Sequence, residues 1–175
     1  MINLSAITNA SPLIYLGKIG ALDLLKRQFS ETITTEIVKE EILTPVDVPE
    51  HLVLIDAFNS FLKIQNFSNT RFYDSLIKMP LHRGEASVIA LAREIQINQK
   101  KSSILILDDL CARNICISLN FKITGTIGII LHAAKLQQIS IQECKTYFKQ
   151  LCEYTSFRIE TKLYSRILAD IEKLR

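Results

Sequence analysis

No apolar run in this sequence approaches the roughly 20 residues that a membrane-spanning helix needs, so no span is expected. Glycine is scarce, at five residues, and neither a GxGxxG nor a Walker A pattern occurs. That excludes a glycine-rich phosphate cradle. The four cysteines, Cys111, Cys116, Cys144 and Cys152, show no CxxC spacing, and no secretory signal is visible. They are expected to be reduced, partly buried thiols of a cytoplasmic protein. His51, His82 and His132 are scattered without paired spacing, which argues against a zinc site. No side chains suggest a nucleophile–base pair, and no repeats or low-complexity tracts occur.

What remains is a chain of 175 residues, about one domain in size and long enough to bury a real core. We expect a single domain over residues 1–175, with residues 141–175 as a C-terminal helical extension. The balance of 21 basic and 18 acidic residues gives +3, a weak hint of a nucleic-acid partner. Any acids gathered into one site would leave the rest of the surface more basic.

The central stretch is residues 103–131. An apolar run over 104–107 ends in adjacent aspartates, Asp108 and Asp109. A helical pattern follows, then a short strand over 121–123, and the run 124–128 (TGTIG) opens another helix. Strand–helix–strand–helix is the grammar of a parallel α/β sheet, whose chemistry collects at the carboxyl ends of the strands. The aspartates stand at such an end, where they either face a cation or cap the next helix.

Around this stretch, residues 2–7 predict a first strand. Ser11–Pro12 reads as an N-cap with proline at the first helical position, and Gly17 and Gly20 loosen that helix's end. A short helix is expected over 21–29, a strand over 31–34, a helix over 35–43, a loop over 45–49, a helix over 52–61 and a strand over 62–65. Residues 66–80 read as a loop leading into a short helix. Residues 83–95 predict a helix whose apolar face, Val88, Ile89 and Ala92, also carries Glu85. A polar turn over 98–102 precedes the central strand. Residues 140–143 (SIQE) form a capping box, and 161–174 predict a last amphipathic helix with Leu163, Ile167, Leu168 and Ile171 on one side.

Asn9, Glu40, Glu85, Asp108 and Asp109 are thus placed at strand ends or on helices able to cover one sheet edge. Mg²⁺ and Mn²⁺ choose oxygen donors of this kind, and such a site can activate water and neutralise a phosphodiester transition state. The segments NASPLI at 9–14, Ile37 with Glu40, Gly84–Glu85–Ala86, Leu107–Asp108–Asp109 with Ala112–Arg113, and GTIG at 125–128 together resemble the PIN-domain superfamily. They look most like its PIN-like branch related to the VapC-type toxins. The likeness runs from about residue 2 to 136, and more loosely through 157–159 and the last helix.

The resemblance implies a three-layer α/β/α sandwich around a mainly parallel sheet, and a Mg²⁺- or Mn²⁺-dependent endoribonuclease of a type II toxin–antitoxin pair. Its catalytic residues would be Glu40, Glu85, Asp108 and Asp109, with Asn9 completing the metal's ligands. Ser11 and Thr126 would support the site, and Arg83 and Arg113 would contact phosphate. RNA would be the substrate, a small antitoxin a candidate partner, and the assembly a homodimer. One departure stands out: PIN nucleases usually carry Asp at the first position, where this chain has Asn9. An amide oxygen can ligate a metal but brings no charge. The alternative reading is a catalytically weak or inactive PIN-like module that binds RNA or a protein. A phosphoacceptor receiver domain fits poorly, because its acidic pair follows the first strand and here the pair comes late.

Overall fold

The structure is a computed structural model that describes residues 2–99 and 103–173. Its centre is a five-stranded, wholly parallel sheet in the order β3-β2-β1-β4-β5. The strands are β1 (Ile2–Thr8), β2 (Phe29–Thr34), β3 (Leu62–Ile64), β4 (Ser103–Ile106) and β5 (Lys122–Thr124). Helices cover both faces, giving the three-layer α/β/α sandwich.

Between β1 and β2 lie α1 (Ala10–Lys18) and α2 (Asp23–Gln28); α3 (Glu36–Leu43) and α4 (His51–Ser60) precede β3. Next come α5 (Thr70–Leu76) and α6 (Arg83–Gln99), with α7 (Leu110–Ser118) joining β4 to β5. Last are α8 (Thr126–Lys135), α9 (Ile141–Glu153) and α10 (Thr161–Glu172).

A sheet covered on both sides buries successive residues rather than alternate ones. Ser5, Ala6, Ile7 and Thr8 are accordingly all buried in β1, as are Leu105 and Ile106 in β4. Each large side chain so buried contributes roughly 1.5–3 kcal/mol. The register places Thr8 beside Ile106 and Ile7 beside Ile33, so the residues that follow β1, β2 and β4 emerge together at one edge.

Several local expectations need correction. The N-cap of α1 is Asn9, not Ser11, and Pro12 is the third helical residue. Proline fits there because none of the first-turn N–H groups has a partner within the helix. Gly17 stands in the last turn of α1 and is buried there, where a Cβ would meet the Cβ of Glu50 at 3.3 Å. Gly20, at φ +67°, makes the turn that follows. The expected helix over 21–29 is shorter, because Phe29 is already extended and opens β2.

The ambiguous stretch 66–80 contains α5, capped by the Asn69 side chain, which accepts from the Phe72 N–H at 3.1 Å. Helix α6 is longer than expected. Asn98 and Gln99 continue it, and the rest of the expected turn lies outside the described residues, as does Leu174. The box at Ser140 and Glu143 is formed reciprocally. In α10, Ile167 and Ile171 are buried while Leu163 is 46% exposed. No helix among the described residues is long and apolar enough to cross a membrane.

Candidate active site

Because the strands are parallel, their carboxyl ends share one edge, and the site is built there from four loops. Asn9 follows β1. Its backbone N–H donates to the Ile106 carbonyl at 3.2 Å, tying the first loop to the one that carries the aspartates. Asn9 is 6% exposed, makes no capping bond to α1, and its Oδ1 is buried without any hydrogen-bond partner. An orphaned buried acceptor costs about 1–3 kcal/mol, so its retention points to a ligand.

The second loop carries α3. Thr35 caps it, with Oγ1 accepting from the Val38 N–H at 3.3 Å. The Thr35 hydroxyl also lies 2.7 Å from the Ser87 hydroxyl, and Ser87 donates to the Gly84 carbonyl at 2.7 Å. This chain of buried hydroxyls joins the start of α3 to the start of α6. With Val38 and Ile42 buried, the acid that α3 sends to the site is Glu41. A Cβ on Gly84 would stand 2.6 Å from the Glu41 Oε2 and 2.9 Å from the Asn9 Oδ1. Glycine is therefore required for that close approach. Glu40 and Glu41 are both exposed, and with His82 and Arg83 they line a surface pocket of about 390 Å³.

The third element is the start of α6. Glu85 is 4% exposed, and its Oε2 accepts from the His82 N–H at 2.9 Å, a helix-capping bond. Burial raises the Glu85 pKa above the ordinary glutamate value. The His82 N–H pulls it down, and the like charges of Asp109 and Glu41 push it up again. Glu41 is likewise raised by desolvation of its carboxyl end, opposed by His82. Arg83 is exposed at the mouth.

The fourth element is the acidic pair, whose members do different work. Asp109 is the N-cap of α7, its Oδ1 accepting from the Ala112 N–H at 2.8 Å. Asp108 accepts twice from Thr126, from the N–H at 2.8 Å and the hydroxyl at 2.6 Å. Burial raises the Asp108 pKa, against the pull of those two bonds and of Arg113. Arg113 is held by the Leu107 carbonyl at 2.8 Å, and a Cβ on Gly125 would crowd both Asp108 and Arg113. Ser11 is half-buried at the second position of α1, and its side chain makes no hydrogen bond among the described residues.

The edge has two neighbouring halves: in one, Glu41 meets Asn9 over Gly84 and Glu85 feels the like charges of Glu41 and Asp109; in the other, Asp108 is tied to Thr126 and feels Arg113. Among the described residues, no group of three His, Cys, Asp or Glu side chains is set to hold a metal by itself. The donor chemistry nevertheless fits a hard cation, since the orphaned Asn9 oxygen adds a neutral ligand beside carboxylates strained by burial and like charge. Sequence reading missed Glu41 and the proximity of His82, although the burial phase of α3 carried a signal for the first.

A search of curated proteins gave no match. A family model that describes a PIN domain matches residues 5–173, nearly the whole chain and every element of this edge. The chain belongs to the PIN-domain family.

Proposed function

We propose that the protein is a Mg²⁺- or Mn²⁺-dependent endoribonuclease that hydrolyses RNA phosphodiester bonds, and the toxin of a type II toxin–antitoxin pair. The PIN-domain fold supports a nuclease, and the observation that carries the metal reading is the unpartnered Asn9 Oδ1 beside the Glu41 carboxylate over Gly84. Asn9, Glu41, Glu85 and Asp109 would hold the cation, with Asp108 beside them. The bound ion would activate water and offset charge on the phosphodiester.

The chain's own groups supply the rest. His82 holds Glu85 by its N–H, and Thr126 fixes Asp108 in one orientation. Burial raises the pKa of Glu41 and of Glu85, so a bound cation would relieve the cost of keeping both carboxylates charged. Cleavage of a mixed RNA with Mn²⁺ or Mg²⁺, abolished by EDTA and by Glu85→Gln, tests this reading; cleavage that survives either change refutes it. For the toxin role, the test is a small upstream reading frame whose product restores growth arrested by this chain.

The second reading, an inactive module that binds RNA or a protein, is favoured by the neutral Asn9 and by the lack of a preassembled acidic trio. Full RNA binding without metal-dependent cleavage would establish it.

A further inference from the structure

An acidic edge repels the polyanion it is meant to cut, so substrate affinity must come from elsewhere on the molecule. Beside the Asp108 half of the site lies a groove of about 540 Å³, walled by β5, α8, the segment 157–159 and α10. Three arginines line it: Arg113, Arg158 and Arg166. Arg158 and Arg166 are exposed and join no ion pair among the described residues. Of the two acids in its wall, Asp108 is hydrogen-bonded to Thr126, and Asp170 is paired with Lys173 at 3.3 Å. Asp108 offsets Arg113, so the charges of Arg158 and Arg166 are the ones left unmatched among the described residues. Between the arginines the wall is apolar: Leu110 is 71% exposed and Leu163 46%. Phe157 is braced edge-on against Tyr15, with ring centroids 5.1 Å apart.

Exposed guanidiniums alternating with apolar surface suit single-stranded nucleic acid, whose phosphates need cations and whose unstacked bases need apolar or planar contacts. We propose that this groove holds a single strand of RNA running from the acidic edge, with phosphates at Arg158 and Arg166 and bases against Leu110, Leu163 and Phe157. The proposal rests on the nuclease reading for the choice of RNA.

The test is fluorescence anisotropy with a short labelled single-stranded RNA, in EDTA so that it is not cut, over a series of salt concentrations. Arg158→Ala/Arg166→Ala is compared with the wild type and with Lys26→Ala/Lys149→Ala, which removes equal charge outside the groove. We expect the arginine pair to weaken binding at least ~10-fold and to reduce the salt slope by about 1.4, two phosphate contacts at ~0.7 each. The lysine pair should change neither by much.

Equal losses in both pairs would mean general charge attraction, and no loss in the arginine pair would leave the groove to a protein partner; either overturns the proposal. Should the alanine pair melt lower than the wild type, Arg158→Gln/Arg166→Gln, which keeps more of the side-chain stem, takes its place. Wild-type cleavage with Mn²⁺ is measured in parallel. Lost binding in the arginine pair without wild-type cleavage would sustain the groove and sink the nuclease reading. Cleavage with unchanged binding would do the reverse.

Discussion

The side-chain oxygen of Asn9 lies so close to Gly84 that a single methyl group there would sit 2.9 Å from it. The same methyl would stand 2.6 Å from the Glu41 carboxylate. Both atoms are the tips of rotatable side chains, so Gly84→Ala can be accommodated by pushing them aside. We expect a small stability cost, about 1 kcal/mol or less from local crowding. Misplaced ligands should cost far more in activity, on the order of 10²-fold. Melting curves and cleavage rates of the same preparation check both halves.

Glu41 and Glu40 can be told apart directly. Glu41→Gln should abolish metal-dependent RNA cleavage, because it removes charge beside Asn9. Glu40→Gln, at the glutamate that is not seated beside Gly84 and Asn9, should keep most of it. A metal titration of cleavage for each variant decides the matter, and the opposite ranking would return the role to Glu40.

The acids also predict a pH dependence. Glu41, Glu85 and Asp108 have pKa values raised above the ordinary 4.5, 4.5 and 3.8. A carboxyl raised on folding binds protons more readily in the native state, so its contribution to stability falls as pH rises through the folded pKa. The metal-free protein should therefore melt higher as pH drops from neutral through the raised pKa values toward the ordinary carboxylate range. Glu94 and Glu143 are shifted downward and oppose this only below their ordinary 4.5. Glu85→Gln should flatten the rise. Added Mn²⁺ competes with protons for the same oxygens, so its stabilising effect should grow with pH.

Thr126→Val removes one of the two bonds to Asp108 while leaving the backbone bond in place. A hydrogen bond to a charged group is worth about 1.5–3 kcal/mol. Urea denaturation should show a loss in that range at neutral pH, with an unchanged slope. The loss should shrink at acid pH, where Asp108 is protonated.

Asn9→Asp adds charge next to Glu41. The Asn9 side chain donates to no carboxylate among the described residues, so no hydrogen bond is lost in the exchange. Cleavage should reach half its maximum at a lower metal concentration, and the metal-free protein should melt lower through like-charge repulsion. An unchanged metal requirement would show that the Asn9 oxygen is not a ligand.

The parallel sheet was legible because its strands are short apolar runs that end in polar residues, above all the run into Asp108 and Asp109. The placement of Asn9 was legible for the same reason, and that of Glu85 from the apolar face of its helix. The phase of α3 was not. Residues advance 100° around a helix axis, so adjacent glutamates point in different directions. Sequence reading set Ile37 and Val38 beside Glu40, whereas packing turns Val38 and Ile42 inward. Glu41 is then the glutamate that meets Asn9 over Gly84, while Glu40 lines the neighbouring surface pocket. The split of the aspartates was equally hidden, since it depends on where Thr126 arrives from the neighbouring strand. The start of α1 was misjudged because serine–proline is a stronger local signal than an asparagine with no capping bond.

The buried hydroxyls of Thr35 and Ser87 have a mechanical consequence. Their mutual bond rivets the root of α3 to the root of α6, so the two glutamate-bearing helices act as the jaws of one caliper with a fixed gap. A ligand gripped by one jaw is felt by the other without any hinge between them. Loosening the rivet, as Ser87→Ala would, should widen the gap for both acids at once. Metal affinity would then fall although no side chain of the acidic edge had been altered.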